Sequence, residues 1–111
     1  MNFERGRIES GPFIFLPEDM ETLKKLQGKL VEYEGRRRAA KTPGEQEDAI
    51  YKERVLGELL KYGKVNTDIL KEELMREHGA VFNEQAFMNA VGFVRGYAEA
   101  GGTGLAGGTG L

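Results

Sequence analysis

Apolar residues recur at three- and four-residue steps through most of this chain, a spacing that places them on one face of an α-helix. The pattern predicts four helices, over residues 18–40, 46–62, 67–78 and 84–99. The residues predicted to face inward are Leu23, Leu26, Leu30, Leu56, Leu59, Leu60, Leu70, Leu74, Phe87, Val91 and Val94. We therefore expect an all-α four-helix domain with little or no sheet.

Residues that start and end helices support these bounds. Pro17 stands just before the first helix, and acidic residues fill its first turn, where the helix dipole favours negative charge. The segment 42–44, Thr-Pro-Gly, breaks the chain between the first two helices. Gly63 and Gly79 follow the second and third helices as C-cap signals, and Asn83 is a suitable N-cap for the fourth.

Residues 1–17 depart from the helical pattern and predict an extended N-terminal arm. Two prolines bracket four large apolar residues, and each proline biases the residue before it away from the α conformation. The apolar run packs either on the chain's own core or on a neighbouring chain, where it could add to a sheet edge or fill a groove. The candidate partner contacts in this run are Phe13, Ile14, Phe15 and Leu16.

Residues 101–111 repeat one five-residue unit twice, joined by Ala106, and six of them are glycine. So much glycine cannot build a core and loses a large amount of chain entropy when it is ordered. The chain therefore divides into an arm at 1–17, a helical domain at 18–100 and a glycine-rich tail at 101–111. The tail is either loose or held by a partner, and Leu105 and Leu111 would be its anchors.

The overall composition restricts the class of protein. A length of 111 residues suits one domain, and the absence of cysteine excludes a disulfide framework and cysteine-based chemistry. The sequence contains no apolar run long enough to cross a membrane and no signal-peptide pattern. We expect a cytoplasmic location, or a place within a particle that is assembled in the cytoplasm.

No catalytic, metal-binding or cofactor-binding residue is predicted. His78 is the single histidine and Ser10 the single serine, so no nucleophile–base arrangement is credible. Glu73 and Glu77 lie near His78 in sequence, but adjacent residues such as Glu77 and His78 point apart on a helix. A transition-metal site normally needs three or four protein ligands. We therefore expect a protein that is not an enzyme.

One stretch carries a resemblance. Residues 55–70 read Val-Leu-Gly-Glu-Leu-Leu-Lys-Tyr-Gly-Lys-Val-Asn-Thr-Asp-Ile-Leu. This stretch resembles the opening of winged-helix and helix-turn-helix domains, in which a helix ends at a glycine and a short turn leads to a Thr or Ser cap. The resemblance implies that the helix over 84–99 is the recognition helix, with Asn89 and Arg95 placed to contact bases.

The charge distribution disfavours nucleic acid as a partner. The net charge is −2, and residues 47–111 hold seven Lys and Arg against ten Asp and Glu. Affinity for nucleic acid depends largely on Lys and Arg near phosphates. The one basic cluster lies at the end of the first helix and is either a solvated helix end or a phosphate contact. Its members are Arg36, Arg37, Arg38 and Lys41.

Two functions are compatible with these features. The first is a non-enzymatic structural subunit of a multi-copy complex, such as a virion or another particle, which contacts neighbouring proteins through its terminal arms. Its partners would be copies of itself or other proteins, without a membrane or a cofactor. The alternative is a nucleic-acid-binding regulator that uses the helix-turn-helix-like half.

Overall fold

A computed structural model describes residues 11–100 and confirms an all-α four-helix domain. The helices are α1 (Met20–Ala39), α2 (Pro43–Tyr62), α3 (Thr67–His78) and α4 (Glu84–Ala100). Two short strands, β1 (Phe13–Phe15) and β2 (Lys64–Asn66), pair antiparallel, and a 3-10 turn at Gly79–Val81 links α3 to α4. Every predicted helix end lies within three residues of the observed one.

Side chains close to each helix end explain the observed bounds. The Asp19 carboxylate accepts a hydrogen bond from the backbone N–H of Thr22, at 2.9 Å, and so caps α1. Thr42 caps α2 in the same way, and Pro43 occupies the first helical position, where its missing N–H costs nothing. The Thr-Pro-Gly segment therefore supplies the N-cap and the first residues of α2. For this reason α2 starts at residue 43 and not at the predicted residue 46.

The core consists of apolar side chains from all four helices and both strands. Of the residues predicted to face inward, Leu23, Leu30 and Leu60 are only half-buried and the others are buried. α1 and α2 form the most extensive helix pair, and α4 packs mainly against α2. Further buried residues on α1, α2 and α4 are Tyr33, Ala49, Tyr51, Val55, Ala90 and Ala98.

The extended conformation expected for the apolar run of the arm is confirmed by β1. Ile14 pairs with Val65, and both side chains are buried, with 0% and 3% of their surface exposed. The backbone N–H of Leu16 donates to the carbonyl oxygen of Gly63 at 2.9 Å. β1 is thus attached to the chain's own core, at the connection between α2 and α3.

The element order from α2 onwards matches the order implied by the helix-turn-helix resemblance. Strand β2 lies between α2 and α3, and the turn at Gly79–Val81 separates α3 from α4. Tyr51 of α2 is buried beneath this turn, and its hydroxyl accepts a hydrogen bond from the backbone N–H of Asn83, at 3.1 Å. The turn is therefore fixed to α2 by a buried contact.

Candidate interaction surface

The outer face of β1 carries two phenylalanines. Successive residues of a strand point to opposite sides, so Phe13 and Phe15 face outward where Ile14 faces the core. Their ring centroids are 5.7 Å apart and the rings are stacked, with 20° between their planes. Phe13 is half-buried, whereas Phe15 is 57% exposed.

Two more large apolar side chains extend this face. Tyr62, the last residue of α2, is 62% exposed, and Ile69, in the first turn of α3, is 56% exposed. Phe13, Tyr62 and Ile69 together line a shallow cleft of about 170 Å³. We call the area formed by Phe13, Phe15, Tyr62 and Ile69 the ribbon surface.

The ribbon surface is bordered by two lysines without a carboxylate partner among residues 11–100. Lys64 lies opposite Phe15 in the strand register. The Lys61 ammonium group lies 5.2 Å from the centre of the Tyr62 ring, which is within the range of a cation–π interaction. The border also holds acids, because Glu58 and Glu73 line the same cleft as Lys64.

The acids nearest to the cleft are bound by one arginine. Arg54 of α2 lies 3.4 Å from the Glu58 carboxylate and 3.5 Å from that of Glu73. It also makes a bidentate pair with Glu77 of α3, at 2.8 and 2.9 Å. The hydrogen bonds from Arg54 lower the pKa of Glu77. Arg54 thus joins α2 to α3, and its single positive charge is shared among three carboxylates.

Arg95, the possible nucleic-acid contact of α4, holds the outer edge of β1 in this structure. Its guanidinium donates to the carbonyl oxygen of Phe13 at 2.9 Å and to that of Gly11 at 3.3 Å, and it pairs with Glu99 at 3.2 Å. Leu16 is hydrogen-bonded to Gly63 across the ribbon. Because bonded and non-bonded residues alternate along an antiparallel strand, the carbonyl of Phe13 points away from β2. Addition of a partner strand is therefore obstructed at Phe13.

The other predicted partner contacts have different positions. Ile14 is fully buried in the chain's own core, so its assignment as a partner contact is wrong. Leu16 is partly buried and packs against the same core. Phe13 and Phe15 lie on the outer face, whereas Leu105 and Leu111 lie outside the described residues.

Two of the four cations in the basic cluster at the end of α1 are paired with acids. Arg36 pairs with Glu32 at 2.7 Å and lies 5.0 Å from the centre of the Tyr33 ring. Arg37 pairs with Glu53 of α2. Within the described part of the chain, the side chains of Arg38 and Lys41 have no acidic partner. The cluster therefore presents two available charges and not four.

The exposed face of α4 carries amide groups and the acids Glu84 and Glu99. The side-chain oxygen of Asn89 accepts a hydrogen bond from the Gln85 amide at 3.0 Å, and both residues are exposed. Arg95, the one cation of this helix, is bound as described above. The resemblance implied that this face contacts bases. The face offers amide groups but no available cation to hold a phosphate.

The described residues form neither a metal-binding cluster nor a membrane-spanning helix. In the region from residue 11 to residue 100, no three His, Asp or Glu side chains are placed to hold a metal ion. His78 packs edge-to-face on the ring of Tyr51, with the ring centres 5.4 Å apart. None of the helices described is both long and apolar enough to span a bilayer.

Tyr62, Ile69, Lys61 and Lys64 were missed by the sequence-based prediction of the site. The available signal was weak: Ile69 flanks the inward stripe of α3, and Tyr62 ends α2 beside a glycine. Their proximity to Phe13 follows from the pairing of β1 with β2. No local pattern gives that pairing.

No protein-family model, curated protein or solved structure matches this chain. The fold and the surface therefore define only a class: a small all-α domain with a fixed two-stranded ribbon and an exposed apolar surface on that ribbon.

Proposed function

We propose that this chain is a non-enzymatic assembly subunit that binds a neighbouring protein through its ribbon surface. The observation that carries the proposal is that Tyr62 and Ile69, each more than half exposed, line one cleft with Phe13, on whose ring the exposed Phe15 stacks. Leaving apolar area in water forgoes about 25 cal/mol for each Å² that a partner would cover. Contiguous exposed apolar surface typically marks a site of protein contact, and aromatic residues are enriched at the centres of such interfaces.

The attachment of the ribbon to the core supports the same proposal. Ile14 is buried beneath the two phenylalanines, and Arg95 fixes the β1 backbone to α4. A surface that is rigid before binding loses less conformational entropy when a partner docks. Single exposed apolar residues elsewhere, such as Val31 on α1 and Val81 in the 3-10 turn, need no functional explanation.

The test compares the native mass of three proteins: wild type, Phe15→Ser/Tyr62→Ser, and the control Val31→Ser. Each is measured by size-exclusion chromatography with light scattering, alone and after purification from its source with associated proteins. We expect the double variant to elute as a 12.3 kDa monomer with unchanged helical circular dichroism. Wild type and the Val31 variant should remain in a larger complex. Assembly of the double variant at the wild-type level would exclude the proposal.

The order of elements supports a second candidate, a nucleic-acid-binding regulator. The sequence α2, β2, α3, turn and α4 has the arrangement of a helix-turn-helix half, and Gln85 and Asn89 are exposed on α4. The binding of Arg95 to backbone carbonyls and the acidic charge of this half weaken that candidate. Fluorescence anisotropy with random duplex DNA distinguishes the two functions. Micromolar or tighter binding with a steep salt dependence would favour the regulator.

A further inference from the structure

We propose that the partner at the ribbon surface is a second copy of this chain, related to the first by a twofold axis. This inference rests on the proposed function and names the partner. In such a dimer the exposed apolar side chains Phe15, Tyr62 and Ile69 of the two copies cover one another. Charged side chains at the border of each copy then meet charges of the opposite sign.

The unpaired charges around the surface are of both signs and lie on different elements. Lys61 lies in the last turn of α2 and Lys64 begins β2, and both are exposed. Asp68 and Glu72 lie on α3 and are also exposed. Among residues 11–100, neither lysine has a carboxylate partner and neither of these two acids has a cation partner. The α2–β2 side of the surface therefore offers two unpaired cations, and the α3 side offers two unpaired acids.

Carboxylates around Arg54 add to the acidic part of the border. Glu58, Glu73 and Glu77 share the single charge of Arg54, so three acids hold one cation. A partner of purely negative charge is repelled by these groups and by the acids of α3, and a partner of purely positive charge is repelled by the two lysines. A partner that carries both signs, placed in the opposite order, avoids both penalties.

A twofold axis supplies that opposite order. In a twofold dimer the same patch meets itself, so every contact between two different residues occurs twice, with the roles of the copies exchanged. Tyr62 of α2 and Ile69 of α3 line the cleft between the two sides of the surface. Half a turn about an axis through this cleft places the α3 acids of each copy over the lysines of the other. A second copy therefore matches the charge pattern by symmetry, without any other chain.

The two copies meet through side chains and not through backbone hydrogen bonds. Arg95 donates to the Phe13 carbonyl on the open edge of β1, which obstructs a continuous sheet across the dimer.

The area available for contact indicates a weak dimer. Large apolar side chains bury about 150–250 Å² each, so Phe15, Tyr62 and Ile69, each just over half exposed, supply on the order of 300–400 Å² per copy. With a polar border in the usual proportion, the two copies together bury about 1,200 Å², at the low end for a specific interface. We therefore expect a dissociation constant in the micromolar range or weaker.

The first experiment measures self-association of the purified wild-type chain. Sedimentation equilibrium gives the mean mass as the protein concentration is raised from micromolar to millimolar. We expect the mass to rise from 12.3 kDa towards twice that value. In NMR spectra, the backbone amide signals of Phe15, Tyr62, Lys64 and Ile69 should move with concentration. A mass that stays monomeric up to millimolar concentration, or movement confined to other residues, would overturn the inference.

Two charge-reversed proteins test the pairing itself. Lys61→Glu/Lys64→Glu makes the unpaired charges wholly acidic, and Asp68→Lys/Glu72→Lys makes them wholly basic. Each variant alone should dimerise at least about tenfold more weakly than wild type, because like charges then meet across the twofold axis. An equimolar mixture of the two variants should recover the dimer, because each acidic side then meets a basic one.

A matched charge reversal outside the surface provides the control. Lys24 is exposed on α1, and Lys24→Glu should dimerise like wild type. Helical circular dichroism checks the fold of each variant, and Glu72→Lys alone replaces the double α3 variant if that protein unfolds. A mixture that dimerises no more tightly than either charge-reversed variant alone would overturn the inference.

The failure of this inference can be distinguished from failure of the proposed function. If the purified chain stays monomeric but Phe15→Ser/Tyr62→Ser still disrupts the complex isolated from the source, the second copy is wrong and the interaction surface stands. If the double aromatic variant assembles like wild type, the surface itself is wrong.

Discussion

The Arg95 guanidinium lies 2.9 Å from the carbonyl oxygen of Phe13, and this hydrogen bond joins residues that are 82 positions apart in the chain. It connects the last helix to the first strand, on the side of β1 opposite β2. Together with the burial of Ile14, it fixes the backbone on which Phe15 is presented. The bond therefore serves both the fold and the proposed interaction surface.

Removal of this bond should loosen β1. Arg95→Met keeps an unbranched apolar chain but has no donor, and we expect the free energy of unfolding to fall by about 1.5–3 kcal/mol, the range for a hydrogen bond to a charged group. Hydrogen exchange should quicken at the Leu16 and Thr67 amides, which bond to Gly63 and Pro12. Arg38→Met, at an exposed position, should change neither quantity. Unaltered exchange in the Arg95 variant would show that β1 does not depend on α4.

Two glycines should respond to alanine in opposite directions. In α4, a Cβ at Gly92 would meet no atom within 4 Å, so Gly92→Ala should raise the free energy of unfolding by about 0.5–1 kcal/mol through helix propensity. Gly63 caps α2 with φ of 82°, a conformation that costs other residues about 1 kcal/mol or more. Gly63→Ala should therefore destabilise the protein. Denaturant unfolding of both variants measures the two effects. A Gly63→Ala variant as stable as wild type would contradict the assignment of the cap, and a destabilised Gly92→Ala variant would contradict the open space at Gly92.

The Arg54–Glu77 pair predicts a specific pH dependence. Because hydrogen bonds from Arg54 lower the pKa of Glu77 in the folded protein, its contribution to stability is fully present above the ordinary value of 4.5. This contribution is lost as the pH falls through the lowered pKa. Glu77→Gln should therefore be less stable than wild type near neutral pH, by under about 1 kcal/mol because the pair is partly exposed. The difference should vanish in strong acid. A constant difference at every pH would contradict the ionic origin.

The helices could be predicted because their signals are local. Leu70 and Leu74 are one turn apart on the same helix face, and Asn66 caps α3 through bonds from the N–H groups of Asp68 and Ile69, at 3.0 and 3.1 Å. Each signal acts within a few residues. Sequence reasoning therefore found all four helices and placed their ends closely.

The interaction surface could be predicted only in part, because its geometry is non-local. The run from Phe13 to Leu16 was recognised as extended and apolar, but its alternation between core and surface depends on pairing with Lys64–Asn66. Arg95 looks available on the pattern of α4 alone, whereas its acceptors belong to β1. Similarly, Arg37 looks like part of a basic cluster until α2 brings Glu53 against it.

The register of β1 predicts that substitutions at two adjacent residues change stability by different amounts. Ile14 is fully buried, so Ile14→Ala should lower the free energy of unfolding by about 2–4 kcal/mol, the cost of removing buried methyl groups and leaving a cavity. Phe15 is 57% exposed, so Phe15→Ala should change stability by less than about 1 kcal/mol. Denaturant unfolding of both variants gives the two values.

In assembly, the order of the two variants should be reversed, with the larger effect at Phe15. Native mass is measured at a temperature at which both remain folded, as judged by circular dichroism. The Phe15 variant should lose associated protein because it lacks an exposed ring of the ribbon surface, whereas the Ile14 variant keeps that face. A slip of one residue in the strand pairing would exchange the two faces of β1 and therefore exchange both results. If Phe15→Ala instead lost stability and Ile14→Ala lost assembly, Phe15 would lie on the inner face of β1 and could not belong to the ribbon surface.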